Sequence, residues 1–231
     1  MADIYRIELE RDGLHRNLGG GFPKGSIVLL EGEHGSGKSA VCQRLLYGFL
    51  KNNNTVTLVS TEFTTKGFIA QMKSLNYNVV DYMLAKSFLF IPVYPIVGQS
   101  RNREDFLGRL LTAEALFERD IIIIDTLSSL VKYDIDVERT LETIAFFKKL
   151  AGRNKTIIIT MDKNDMSDEL MERFRSDSDV FLEIRKTIIE GSTTRSIVVK
   201  RFTGCTEPII EVTGFRMESK VGFIIDITTI A

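Results

Sequence analysis

Gly32, Glu33, His34, Gly35, Ser36, Gly37, Lys38 and Ser39 stand in an order that carries chemistry. Two glycines five positions apart, followed by lysine and serine, make G-x-x-x-x-G-K-[ST], the phosphate-binding loop. Glycines let successive backbone N–H groups turn inward around anionic oxygens. A helix opening at this point aims its positive end at the same anion. Lys38 then reaches the β- and γ-phosphates of a nucleotide, and the Ser39 hydroxyl can ligate Mg²⁺. With glycine near 7% of residues, chance delivers such a pattern in roughly one chain of this length in a hundred. Here it follows an apolar run (27–30) and opens an amphipathic segment, which is the context the motif requires. His34 reads either as an exposed spacer or as a phosphate or partner contact.

A second piece belongs on another strand. Residues 121–125 are four isoleucines ending in Asp125. At the C-terminal end of a parallel strand that carboxylate points into the crevice where phosphates sit. There it would hold Mg²⁺, partly through water; the competing role is a cap for the next segment. A hydrolase also needs a group to orient or activate water. Glu62, after the apolar run 55–61, is the candidate; otherwise it opens the next helix, where an acid favours the dipole. Thr160 and Asp162 end the run 156–161 and read as a γ-phosphate sensor or as an ordinary strand-to-loop transition.

These residues need elements to position them. Segments 26–31, 55–61, 88–93, 121–125 and 156–161 are nearly continuous apolar runs, as expected for strands covered on both faces. Between them, 39–50, 104–118 and 137–150 have helical spacing. The alternation predicts an α/β fold with a mainly parallel central sheet flanked by helices. Segments 180–185, 195–201, 208–211 and 222–227 crowd together and predict antiparallel strands at the C-terminal edge. Glu190-Gly191-Ser192 is a turn signal, 97–104 a polar loop, and Asn52-Asn53-Asn54 a helix-ending turn. No Pro- or Gly/Ser-rich linker divides the 231 residues, so one domain over 1–231 is expected.

Composition narrows the classes. Hydrophobic residues are 44% and charged residues 26%, an ordinary globular balance that excludes disorder as the main state. A formal net charge of -1 gives no global electrostatic case for nucleic acid or an anionic membrane. No apolar run approaches the ~20 residues that span a bilayer. The N-terminal residues show no basic stretch before an apolar one, so no signal peptide is expected. Cys42 and Cys205 form no metal or framework spacing and read as reduced core residues of a cytosolic protein; a single disulfide or a reactive thiol is the alternative.

Residues 18–26, LGGGFPKGS, resemble the G-G-x-P-x-G lead-in of RecA/KaiC-like P-loop ATPases. Asp125-Thr126-Leu127-Ser128-Ser129-Leu130 is similar to that family's segment after its second motif, and 75–78, 88–91 and 199–204 are similar to further family stretches. Within the branch, the chain is similar to the FlaH family of accessory ATP-binding proteins of the archaeal flagellum, the archaellum. The resemblance implies a RecA-like fold, ATP and Mg²⁺ as ligands, and a homo-oligomer, up to a hexameric ring. It also implies a place in motility: docking to the archaellum motor ATPase (FlaI) and its membrane-anchored scaffold (FlaX) on the cytoplasmic side, without membrane insertion.

Two departures from the family pattern matter. KaiC-like enzymes commonly carry two adjacent glutamates after the second strand; here the pair reads Glu62-Phe63, which implies slow or absent hydrolysis. The family's basic end motif reads Lys200-Arg201-Phe202-Thr203-Gly204. In ring-forming relatives such residues reach the neighbour's nucleotide, so Lys200 or Arg201 would act in trans; the alternative is an edge strand with solvated charges. The competing functions are an active KaiC-like ATPase and a RecA-like recombination or repair ATPase. Residues 162–169 are acidic on balance, against a DNA-binding loop there.

Overall fold

The computed structural model describes residues 3–93, 106–189 and 192–226. The expected polar loop 97–104 and the turn at 190–191 lie outside them.

The chain runs β1 (Ile4–Arg6), α1 (Leu14–Asn17), β2 (Gly21–Pro23), β3 (Ile27–Gly32), α2 (Lys38–Lys51), β4 (Val56–Ser60), α3 (Thr65–Ser74), α4 (Val80–Leu84) and β5 (Phe88–Pro92). It continues α5 (Phe106–Thr112), β6 (Ile121–Asp125), α6 (Leu127–Val131), α7 (Val137–Ala151), β7 (Thr156–Met161) and α8 (Asp168–Asp177). The tail is β8 (Val180–Ile189), β9 (Ser192–Phe202), β10 (Val212–Glu218) and β11 (Gly222–Ile225). Nine strands form one sheet in the order β11-β10-β9-β8-β3-β7-β6-β4-β5. From β8 through β5 the pairing is parallel; β8, β9, β10 and β11 pair antiparallel. This is the expected RecA-like arrangement, with β1 and β2 as a separate antiparallel pair.

Successive strand residues face opposite sides of a sheet, and both sides here are covered. Leu58, Ile121, Ile123 and Ile158 join the packing around α2 and α3. Val59, Ile122, Ile124, Ile157 and Ile159 join the packing around α6, α7 and α8. That is why these strands read as unbroken apolar runs.

Three expectations are corrected. Segment 208–211 is not a strand: Ile209 makes one isolated bridge to Leu18 and Ile210 is exposed. Pro208 has no N–H to give a ladder, and β10 begins at Val212. The helix expected over 104–118 ends at Thr112; Ala113 leaves helical geometry and a 3₁₀ turn follows over Glu114–Phe117. That break sets Phe117 edge-on against Phe146 of α7, centroids 4.9 Å apart. Cys205 is exposed, whereas Cys42 is buried as expected. The asparagine run ends α2 as expected, with Asn53 at φ 61°.

A buried ion pair ties the N-terminal segment to α2. Arg44 grips Asp12 through Nε (2.6 Å) and Nη2 (2.7 Å), and its Nη1 donates to the Ile7 carbonyl at 2.9 Å. Both side chains are fully enclosed. Gly48 makes room for the cluster, because a Cβ there would lie 2.5 Å from Arg44 Nη1 and 2.8 Å from the Ile7 oxygen. Removing one partner of such a pair leaves a buried charge uncompensated. Arg44→Met should therefore lower the unfolding free energy by about 3–5 kcal/mol, read by urea denaturation against the unsubstituted chain.

Candidate functional site

The phosphate loop joins β3 to α2. Gly32 ends β3 where nothing larger fits: a Cβ would lie 2.5 Å from the Ile184 carbonyl oxygen. Gly37 caps α2 at φ 107°, a backbone region that favours glycine. Val41, Leu45, Leu46 and Phe49 bury the sheet-facing side of α2, which fixes the direction of its N-terminus. Lys38 Nζ donates to the Gly32 and Glu33 carbonyls at 2.7 and 2.9 Å and lies 3.4 Å from an Asp162 carboxylate oxygen. Glu33 is exposed and pairs with Lys163 at 2.5 Å. Ser36 is buried, and its Oγ has no hydrogen-bond partner among the described residues. His34 is exposed at the rim.

Strand alternation places the second carboxylate. Ile121 and Ile123 face α2, so Asp125 continues on that face, as does Thr160 two residues after Ile158. Thr160 Oγ1 donates to Asp125 Oδ1 at 2.7 Å. Asp125 is buried, and the Asp125–Thr126 peptide bond is cis. Burial, then the nearby Glu62 charge, push its carboxyl up to about 6, while hydrogen bonds from Thr160 and Ser39 and the charge of Lys38 act the other way. Beside it, burial pushes the Cys42 thiol well up.

Glu62 follows β4 and does not open the next helix. Thr64 caps α3 by accepting from the Gly67 N–H at 2.7 Å. Glu62 is exposed at the pocket wall. Phe63 turns instead to the apolar packing, 6.3 Å from the Phe68 ring. Asp162 accepts from its own loop at Asn164 and receives Lys38; its N–H donates to Ser128 Oγ at 2.9 Å.

Lys38, Ser39, Glu62, Thr126 and Asp162 line a cavity of about 500 Å³, a size that suits a small-molecule ligand; Asp125 and Thr160 are buried and stand outside its lining. Its floor is the phosphate loop, and Glu62 and Thr61 face it from the end of β4. The arrangement can cradle a polyphosphate, hold a hard cation beside it and present one carboxylate to water.

A family model described as "ATPase: KaiC" matches residues 11–213. Over 231 residues, the whole chain and 99% of the relative, the sequence is 34% identical to archaeal flagellar ATP-binding protein FlaH of Methanocaldococcus jannaschii. The chain belongs to the FlaH family of KaiC-like ATPases. FlaH of Methanococcus voltae is also 34% identical, over 98% of each protein. The crystal structure of flagellar accessory protein FlaH from M. jannaschii matches with a TM-score of 0.90 at 33% identity, covering 97% of this chain and 100% of that one.

In this FlaH-family chain the two basic residues of the end motif stand outside the cavity lining. A register shift between Phe181 and Leu182 offsets them. Lys200 is exposed and pairs with Glu183 at 3.3 Å. Arg201 Nη1 donates to the carbonyls of Arg175, Ser176 and Ser178 at the end of α8, at 2.8, 3.1 and 2.9 Å. Gln71, Arg195, Arg216 and Met217 do line the cavity. Sequence reasoning missed them, because only the folding back of β9 and β10 brings the last three to the phosphate loop, and no local pattern marks that approach.

The raised Asp125 carboxyl sets a pH dependence. Between about 4, its ordinary range, and about 6 the folded chain keeps a proton that the unfolded chain releases. Stability therefore falls as pH rises through that window. Asp125→Asn stays neutral throughout. Free of metal and nucleotide, it should match the unsubstituted chain near pH 4 and be more stable at pH 8 by on the order of 1–3 kcal/mol, measured by denaturant titration at both pH values.

Proposed function

We propose that this chain is an ATP-binding assembly component of the archaellum motor, a single RecA/KaiC-like domain over residues 1–231. It takes Mg–ATP in the cavity, hydrolyses it slowly or not at all, and docks to FlaI and FlaX on the cytoplasmic side of the archaellum base in a nucleotide-dependent way. One observation carries the reading: an intact phosphate loop facing Asp125, in a chain that aligns end to end with FlaH. Among the described residues no helix is long and apolar enough to cross a membrane.

Mg²⁺ fits the donors present. Ser39 and Asp125 offer hard oxygen ligands. Among the described residues no group of three or more His, Cys, Asp or Glu could hold a metal unaided, so the ion would share phosphate oxygens and water, as Mg²⁺ usually does. Bound there, it neutralises charge on the phosphates. The chain's own residues do the rest. The opening N–H groups of α2 and Lys38 bind the phosphates. Thr160 fixes the Asp125 carboxylate. Glu62 alone accepts a proton from water, since Phe63 is committed to the apolar packing. A γ-phosphate can hold the loops after β4, β6 and β7 in one arrangement, and a partner feels the difference only through unequal affinity for the two arrangements.

A ring in which Lys200 or Arg201 reaches a neighbour's nucleotide belongs to the same reading. Lys200 is the freer of the two, because Arg201 is tied to three carbonyls.

Calorimetry should give Mg–ATP binding that Lys38→Ala abolishes or greatly weakens. FlaI affinity should differ between the chain with ATP, the chain without it, and Lys38→Ala with ATP; one affinity for all three would remove the switch. Phosphate release should stay below ~1 per second and fall further in Glu62→Gln. Faster turnover would favour an active ATPase, which the position of Glu62 on the cavity wall permits. Light scattering should give a larger particle mass with Mg–ATP than without it, and an unchanged mass would remove the ring.

A further inference from the structure

Lys38, Arg195 and Arg216 bring positive charge to the cavity. Two of them already have partners. Lys38 is held by two carbonyls and Asp162. Arg216 pairs with Glu218 at 2.7 Å and with Asp226 at 3.4 Å. Among the described residues no side chain is hydrogen-bonded to or paired with the Arg195 guanidinium.

Its position is specific. Arg195 is half-buried on β9, directly opposite Phe215 of β10 and Lys186 of β8. Residues directly opposite share a sheet face. On that face lies the phosphate loop: a Cβ at Gly37 would come 3.1 Å from Arg195 Cδ and 3.2 Å from Phe215 Cζ. The arginine stem therefore rests on the cap residue of α2. Two like charges directly opposite one another destabilise a sheet, and among the described residues no acid pairs with Lys186 or Arg195. An anion in the cradle relieves that repulsion.

We propose that Arg195 is a phosphate-binding residue acting within its own chain. Its planar fork, delivered by the antiparallel strands, closes the cradle formed by Lys38 and the N-terminus of α2 around the polyphosphate of a nucleotide. A guanidinium can give two parallel N–H groups to one phosphate, which a lysine cannot. The proposal deepens the Mg–ATP reading and rests on it.

Calorimetric titration of the full chain with Mg–ATP and with pyrophosphate tests it. Arg195→Gln keeps part of the stem against Gly37 and loses the charge. It should weaken both ligands about ten-fold or more, and Arg195→Lys should recover only part of the loss. If Arg195→Gln weakens Mg–ATP but leaves pyrophosphate unchanged, the arginine serves the base or ribose and the proposal falls. If the unsubstituted chain binds Mg–ATP and Arg195→Gln binds both ligands equally well, the proposal falls alone. If the unsubstituted chain binds no Mg–ATP, both readings fall together.

Discussion

A carboxylate enclosed at the end of β6 is costly unless its neighbours take up its lone pairs. Asp125 meets that demand only in part, with hydrogen bonds from Thr160 and Ser39 and with the charge of Lys38, while burial and Glu62 still hold its carboxyl up. Thr160 comes from β7, and Ser39 and Lys38 from the first turn of α2, so one buried group links the placement of β6, β7 and the start of α2. The site is compact for this reason. Its residues lie far apart in the chain, yet parallel pairing brings β3, β6 and β7 to a common edge, and strand parity turns Asp125 and Thr160 toward α2.

The parallel half of the molecule was legible because its signals are local and redundant. The isoleucine run of β6 and the boundaries of β7 agree with the sequence reading to the residue. α2 follows from the apolar spacing after the loop motif. Parity makes Asp125 readable as a site residue before any coordinate is known, since β6 is apolar on both faces up to its last position.

Other parts depend on contacts that the sequence does not carry locally. The 3₁₀ break after Thr112 serves a meeting of Phe117 with Phe146, which lies in another helix. Arg195 and Arg216 approach the phosphate loop only because β9 and β10 pair back beside β8. Ser167 with Asp168 and Glu169 is a readable helix start, and it caps α8. Lys200 and Arg201 were legible as basic but not as placed, because a register shift redirects them toward Glu183 and the end of α8.

The ion pair between Asp12 and Arg44 has a mechanical meaning. α2 has 14 residues, a rod of about 21 Å at 1.5 Å per residue. Arg44 clamps it near its middle, and Asn52 anchors its far end to the Glu8 carbonyl at 2.9 Å. A rod held at these points transmits force along its axis instead of sliding or tilting. The phosphate end is thus the fixed jaw of a vice. Any travel on ligand binding would then fall to the opposing jaw, the chain that leaves β4, β6 and β7 carrying Glu62, Thr126 and Asp162.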